Sequence, residues 1–131
     1  MFAARDRCGE AADRIRAIRD TRYKYIRNFY PDRPYTQTSS YKLLSYPVVT
    51  LLDVLHAEGK LAPDAERMMQ KTRPAEELYD LQTDPDELHN LAENPEHEST
   101  LQRMRTQLNQ WIETSGDQGA IREGDQAYHD A

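Results

Sequence analysis

The residues best suited to chemistry lie close together in the stretch "DPDELH", residues 84–89. It places three carboxylates and an imidazole within six positions: Asp84, Asp86, Glu87 and His89. Carboxylate oxygens are ligands that Ca²⁺ prefers in proteins. The stretch lacks the Asp-x-Asp-x-Asp-Gly rhythm and the bidentate glutamate of an EF-hand loop, whereas aspartate before proline and further acids is typical of a type I turn. We therefore predict a turn here, with calcium binding as the alternative.

Nucleophilic and metal-dependent chemistry have weaker support in the rest of the sequence. Cys8 is the only cysteine, and the nearest histidine along the chain is His56. A thiol acts as a nucleophile when a base lies beside it, so a structural Cys8 is favoured over one that a distant histidine activates. The histidines are scattered and show no HxxxH or HExxH spacing. We predict no catalytic residue and no metal ligand in this chain.

Charge is distributed unevenly along the 131 residues. Residues 1–33 hold nine Lys or Arg and five Asp or Glu, whereas residues 34–131 hold eight and eighteen. Cations beside Tyr23, Tyr25 and Phe29 are the ingredients of nucleic-acid binding, but acidic residues interleave with them and the net charge is −6. A solvated sheet face is therefore the favoured interpretation, and no nucleic-acid partner is predicted.

The sequence also bears on membranes and compartment. It contains no run of about 18 apolar residues, so we expect no membrane span. The opening "MFAARDRCGE" lacks the apolar core of a signal peptide, and a lone cysteine forms no internal disulfide. These features leave the compartment undetermined.

Strand signals occur twice. Residues 14–28 mix β-branched and aromatic residues with Arg and Lys, which predicts a basic hairpin of two strands over about 14–19 and 22–28. A further short strand is predicted over about 77–81, in "ELYDL". These strands are expected to pair in a small antiparallel sheet.

Helix signals fall between and after the strands. Apolar residues recur at helical spacing after Pro47 and end at Gly59, which predicts a helix over about 47–58 with a glycine cap. A second helical piece is predicted over 63–71, with proline at its first position.

The strongest helix signal lies late in the chain. Asn94 is a good N-cap and Pro95 suits the first helical position. A helix over about 95–114 follows, and Gly116 ends it. One apolar stripe runs along it, formed by Leu101, Met104, Leu108, Trp111 and Ile112. The predicted class is therefore α+β: a small antiparallel sheet packed against this long amphipathic helix, with additional short helices and a polar tail over 120–131.

Three stretches, taken in order, resemble one family: "RDRCGEAADRIRAIRDTRYKYIRNFYPDRPY", "RPAEELYDLQTDPDELHNLAENPE" and "LQRMRTQLNQWIETSGDQG". The specific part is the combination in this order of "RYKYI", "ELYDL", "DPDELHNL" and the Leu/Trp helix. The chain resembles the C-terminal subdomain of type I sulfatases of the alkaline phosphatase superfamily. Within that group it is most similar to the sulfamidase-like N-sulfoglucosamine sulfohydrolases and their bacterial relatives. The resemblance runs from about Arg5 to Gly119, so residues 1–119 are expected to form that subdomain.

The resemblance implies that catalysis belongs to a large N-terminal domain that is absent here. There a formylglycine, made in a Cys/Ser-x-Pro/Ala-x-Arg motif, would act on the sulfate with a calcium ion. Cys8 is followed by Gly-Glu-Ala-Ala, and "SYPVV" from Ser45 ends in valine where arginine is required. Calcium and formylglycine are therefore expected in the absent domain, and this chain is expected to be inactive alone.

The resemblance also places the segment before the first predicted strand at the border of the substrate cleft. It implies Arg5, Arg7 and Glu10 as contacts to a sulfated carbohydrate, since arginine suits a bidentate contact with an oxyanion. The alternative is that these residues pair with Asp6 or Asp13 at the surface.

Two functions follow. The chain is predicted to be the C-terminal part of a sulfatase-like hydrolase of sulfate esters or sulfamates, as a fragment, a split gene product or a truncated frame. Its partner would be the N-terminal catalytic domain, in the same or a separate chain, and the intact enzymes are usually exported. The alternative is a stand-alone module that binds sulfated glycan or another polyanion through the basic hairpin.

Overall fold

The computed structural model describes residues 1–8 and 11–121, and the fold in that part of the chain is one sheet with helices around it. Its strands are β1 (Phe2–Cys8), β2 (Ala11–Arg19), β3 (Tyr23–Asn28) and β4 (Glu76–Asp80). Its helices are α1 (Ser40–Ser45), α2 (Pro47–Ala57), α3 (Pro63–Met68) and α4 (Glu98–Thr114), with a 3₁₀ turn at Pro95–His97. The strands pair antiparallel in the order β1-β2-β3-β4, and the predicted α+β class is confirmed.

The basic hairpin forms as predicted, with a longer first strand. β2 and β3 pair from Ile15 opposite Asn28 to Arg19 opposite Lys24. The turn needs no glycine, because the Asp20 carboxylate accepts hydrogen bonds from the next two strand-entry amides, of Arg22 at 2.8 Å and Tyr23 at 2.6 Å.

Strand β1 is a difference from the sequence-based prediction. Residues 2–8 are not an approach to the first strand but are themselves the first strand, paired with β2 from Phe2 opposite Ile18 to Cys8 opposite Ala11. The segment contains no β-branched residue, so its own propensity does not predict a strand. The free edge of β2 supplies the backbone partners that make it one.

Strand β4 agrees with the strand predicted over 77–81, and it pairs with β3. Its other edge is closed by the segment that follows it. The Leu91 amide donates to the Leu78 carbonyl at 2.8 Å, and the Asn90 side chain accepts from the Leu78 amide at 3.0 Å. The asparagine therefore turns and secures the backbone.

Helix α4 covers one face of the sheet. Leu101, Met104 and Leu108 are buried on it, in one core with Ile18, Tyr25 and Leu78 of the strands; Trp111 and Ile112 are partly buried against that core. The Asn94 side chain accepts from the Glu96 amide at 3.0 Å, so it caps the 3₁₀ turn at Pro95–His97. α4 itself begins at Glu98, three residues after the predicted start, and His97 at its N-cap makes no side-chain capping bond. Gly116 has a φ of +69° after the last turn, as expected for a glycine cap.

The segment between β3 and β4 holds the three short helices. α2 lies within the predicted bounds, and Gly59 follows it with a φ of +67°. α3 ends at Met68, three residues before the predicted end. α1 is not predicted from the sequence; the Ser39 side chain caps it by accepting from the Lys42 amide at 3.3 Å. Residues 122–131 of the predicted tail lie outside the described residues, and no helix in the described part is long and apolar enough to cross a membrane.

Candidate functional site

A groove of about 580 Å³ opens where β1 and β2 meet the turn after β3 and the residues after α4. That volume lies in the range of small-molecule pockets. We call it the arginine groove and define it by its charged and aromatic lining: Asp6, Arg7, Asp13, Tyr30, Arg33 and Asp117.

One wall of the arginine groove is built on Arg16. Its side chain is 1% exposed, and it bridges two strands and the segment after α4. Its guanidinium donates to Asp117 at 2.5 and 2.8 Å and to Asp6 at 2.7 and 3.1 Å. The hydrogen bonds from Arg16 lower the pKa of Asp117 to about 2, so Asp117 is ionised at neutral pH. We call Arg16 with its partners Asp6 and Asp117 the clasp.

Gly119 fits against this clasp because it has no side chain. A Cβ at that position would lie 1.8 Å from Arg16 Nη2 and 2.9 Å from Asp6 Oδ1. The glycine therefore lets the segment after α4 close over the guanidinium.

A second buried pair lies at the base of the arginine groove. The Arg73 guanidinium donates to the Asp13 carboxylate, and both side chains are at most 2% exposed. Asp13 also accepts from Gln37 Nε2 at 2.7 Å and from the Arg14 amide at 2.8 Å. Burial works to raise the pKa of Asp13, but the hydrogen bonds outweigh it and the pKa lies below its ordinary value.

Arg33 is positioned by a turn. The Arg33 amide donates to the Tyr30 carbonyl at 3.1 Å across "YPDR", which holds proline at the second turn position, where it is favoured. Its guanidinium carbon lies 4.4 Å from the centre of the Tyr30 ring, and Nη1 donates to the Ala12 carbonyl. Stacking and hydrogen bonding therefore fix this cation at the rim.

Among the described residues, the groove together with the two buried arginines, Arg16 and Arg73, carries one more positive charge than negative charges. Four guanidinium groups, of Arg7, Arg16, Arg33 and Arg73, meet three carboxylates, of Asp6, Asp13 and Asp117. The lining of the groove, within the residues described, includes no Ser, Thr, Cys or His side chain. This arrangement can recognise an anion, because arginine presents a planar fork of donors, but it holds no nucleophile beside a base.

The three residues predicted to contact substrate are placed differently. Arg7 lines the arginine groove. Arg5 is exposed on β1, and its carbonyl accepts from Arg16 Nη1 at 3.3 Å. Glu10 lies outside the described residues. Arg33 was not predicted, although its "PDRP" context indicates a turn that could present a side chain at the surface.

The acidic stretch at residues 84–89 is a turn, as predicted. The two carboxylate oxygens of Asp84 accept from the amides of Leu88 at 3.0 Å and His89 at 2.9 Å. These two hydrogen bonds lower the pKa of Asp84, and the bond from the Leu88 amide has the larger effect. Across residues 1–8 and 11–121, no three His, Cys, Asp or Glu side chains are grouped to hold a metal ion.

The other residues considered for chemistry are apart from one another. Cys8 is a free, exposed thiol at the end of β1. His56 Nδ1 lies 2.7 Å from Glu66, and His97 packs edge-on against Tyr23 with 6.3 Å between ring centres. His129 lies outside the described residues.

Comparison with known proteins gives two relatives that share most of this chain. No family model matches it. An ulvan-active sulfatase from Formosa agariphila is 40% identical over 125 residues, which are 95% of this chain and 21% of the relative. A second ulvan-active sulfatase from that organism is 38% identical over 102 residues, or 78% of this chain and 18% of the relative. This chain corresponds to the C-terminal part of a sulfatase.

The sulfatase relatives are much longer than this chain, which spans about a fifth of their length. Among solved structures, one assigned as a sulfatase from Bacteroides thetaiotaomicron has a TM-score of 0.47 and 24% identity, over 87% of this chain and 16% of that one. The matches to the two ulvan-active sulfatases confirm the predicted relation to sulfatases. The finer likeness to N-sulfoglucosamine sulfohydrolases stays a prediction.

Proposed function

We propose that this sulfatase region completes the fold of the enzyme and forms one wall of its substrate cleft, while the reacting groups lie in the larger part. The observation that carries the proposal is the match itself. Nearly all of this chain aligns with about a fifth of two sulfatases. The formylglycine and calcium implied by the family resemblance would then belong to the larger part, where they supply the nucleophile and the Lewis acid.

The arginine groove is the surface we propose for the cleft wall. Arg7 and Arg33 stand on it beside carboxylates that are already neutralised by buried arginines. A sulfate group on a carbohydrate would therefore meet a net positive surface. Arg5 and Glu10 remain in this proposal as contacts at its border.

An exchange experiment tests this proposal. The matched region of the 40%-identical ulvan-active sulfatase is replaced by the 131-residue chain, and sulfate release from ulvan is measured with calcium present. We expect the chimaera to retain activity, the same relative without the region to lose it, and the chain alone to release no sulfate from an aryl sulfate. Turnover by the chain alone would contradict the proposed division.

The groove itself is tested by Arg7→Ala and Arg33→Ala in that chimaera. Loss of a charge-assisted contact to a substrate sulfate is expected to raise KM about tenfold with little change in kcat. Arg33→Lys should restore part of the loss because it keeps the charge. The matched control is Arg19→Ala, which changes an exposed arginine of β2 outside the groove. An equal rise in KM for this variant would show that the arginine groove is not part of the substrate cleft.

The alternative function, a glycan-binding module using the basic hairpin, stays a prediction. In the hairpin, Arg16 is buried in its clasp, Arg22 lies 2.7 Å from Asp80 and Lys24 lies 2.7 Å from Glu87. These pairings give it no specific support. Retention of the isolated chain on heparin that falls steeply with salt would favour it.

A further inference from the structure

Helices α1 and α2 present an apolar surface. Of the twelve large apolar side chains that are exposed in the described residues, seven lie on these helices or the residue between them. Leu43 is one of them, and we call the other six the apolar patch: Tyr41, Leu44, Tyr46, Val48, Leu51 and Val54. No residue of either helix is buried.

The patch is continuous along the two helices. Tyr41 and Leu44 are three residues apart on α1, and Val48, Leu51 and Val54 repeat the same spacing on α2, so each set shares one side of its helix. The Tyr41 ring packs edge-on against Tyr46, with 5.6 Å between ring centres. The tyrosines therefore join the two sets.

Helix α2 is apolar over more of its circumference than one neighbour can cover. Its half-buried side chains, Val49, Leu52 and Leu55, form an inner stripe beside the exposed one. At 3.6 residues per turn the two stripes together span about 220°, whereas a helix with a single neighbour needs an apolar stripe of about 100°. We therefore expect a second surface to cover the outer stripe, which is formed by Val48, Leu51 and Val54.

Charge is absent from the centre of this surface. The ten residues from Leu43 to Leu52 contain no charged side chain, in a chain that is 31% charged. Depletion of charge and enrichment of tyrosine are typical of the cores of protein interfaces, and exposed apolar patches mark such sites.

We propose that the apolar patch docks on the larger part of a sulfatase, the region that the relatives carry outside the matched segment. This inference rests on the proposed function. The match to the 40%-identical relative takes in 125 of the 131 residues, so it includes residues 41–54. That relative therefore carries the counterpart of this segment in one chain with the other four-fifths of the enzyme.

The size of the patch argues against a second copy of this chain as the occupant. The six side chains of the patch are between 46% and 87% exposed, so the apolar area that they offer is smaller than one full side of a standard interface. A stable dimer buries about 800 Å² on each partner. A contact within one chain needs less, because tethering supplies a high effective concentration and the patch can be one part of a larger domain interface.

Thiol labelling in the chimaera described above tests the docking. In a Cys8→Ser background, the Leu51→Cys variant reports the patch, Val54→Cys is a second reporter, and Thr50→Cys is the control on the exposed polar side of α2. The labelling rate with a maleimide is compared between the chimaera and the isolated chain by mass spectrometry of the tagged peptide. Docking predicts rates at least tenfold lower in the chimaera at positions 51 and 54, with position 50 changed less than about twofold.

Two results would overturn the inference. Equal labelling at position 51 in the isolated chain and in an active chimaera would show that the patch stays open, and would leave the proposed function standing. Slow labelling in the isolated chain that speeds up on dilution, together with a dimer in sedimentation, would show a second copy as the occupant. A folded chimaera without activity counts against the proposed function instead, and its labelling rates still decide the docking.

Discussion

Helices α2 and α4 both carry apolar side chains at helical spacing, but their surroundings are opposite. α4 buries Leu101, Met104 and Leu108, the last two completely, against the strands. α2 carries an apolar stripe as rich as that one, yet none of its residues is buried and Leu51 is 54% exposed. The difference lies in what stands opposite each helix. Within the described chain the sheet covers the apolar stripe of α4, whereas on α2 the inner stripe is half-buried and the outer stripe is exposed.

An amphipathic pattern indicates that a helix packs against another surface, but it does not indicate where that surface lies. Burial of apolar area stabilises wherever the covering surface comes from. For α4 it comes from β2, β3 and β4 of this chain. For α2 we propose that the larger part of the sulfatase supplies it.

The largest expected effect separates the two helices directly. Leu108→Ala removes a fully buried side chain and is expected to lower the free energy of unfolding of the 131-residue chain by about 3 kcal/mol, through lost burial and the cavity left behind. Leu51→Ala is the matched control, and its effect should stay within about 0.5 kcal/mol. Urea denaturation measures both. Equal losses would mean that α2 is already packed in the isolated chain.

The second effect concerns how the region of α1 and α2 is anchored. Asp13 holds Gln37 before these helices and Arg73 after them, so its carboxylate ties both ends of the segment to β2. Arg73→Ala leaves that charge buried without its cation and is expected to cost about 3 kcal/mol.

The control for this anchor is Lys60→Ala, which removes an ion pair whose two side chains are 65% and 48% exposed. Such a pair contributes at most about 1 kcal/mol. If Arg73→Ala cost no more than the control in urea denaturation, the anchor would rest on apolar contacts instead.

The smallest effect lies at the end of α4 and depends on pH. The pKa of Asp117 is lowered to about 2 in the fold, against about 3.9 for an unfolded aspartate. A lowered pKa stabilises above the unfolded value, and this contribution is lost as the pH falls from about 4 to about 2. With allowance for solvent screening, wild-type stability should fall by up to about 1 kcal/mol more than that of Asp117→Asn between pH 5 and pH 3. If the stability of wild type and of Asp117→Asn fell in parallel with pH, the ion pair between Arg16 and Asp117 would not stabilise the fold.

Much of the fold follows from local sequence patterns. The basic hairpin, strand β4, α2 with its Gly59 cap and helix α4 have the predicted type, and their bounds lie within three residues of those predicted. The turn at Asp84 was also predictable, because an aspartate before proline can bond its own downstream amides. In each case the interaction that decides the structure spans only a few residues.

The candidate site was only partly predictable. Arg7 was predicted through the resemblance to sulfatases and lines the arginine groove. The position of Arg33 depends instead on a turn that sets it beside Tyr30 and Ala12. Arg16 belongs to the basic hairpin by sequence, but the fold buries it between Asp6 and Asp117. Its partner Asp117 lies 101 residues away along the chain, and no local pattern records such a pair.

The sequence by itself determined the elements, their caps and the likeness to the C-terminal part of a sulfatase, because helical periodicity, turn chemistry and motif order are local properties. Only the tertiary structure decided that residues 2–8 form the edge strand, that Arg16 is withdrawn from the surface, and that α4 is covered while α2 is not. Those outcomes depend on which surfaces and charges meet across the fold, and the physical reason is that burial and ion pairing are set by distance in space rather than by distance along the chain.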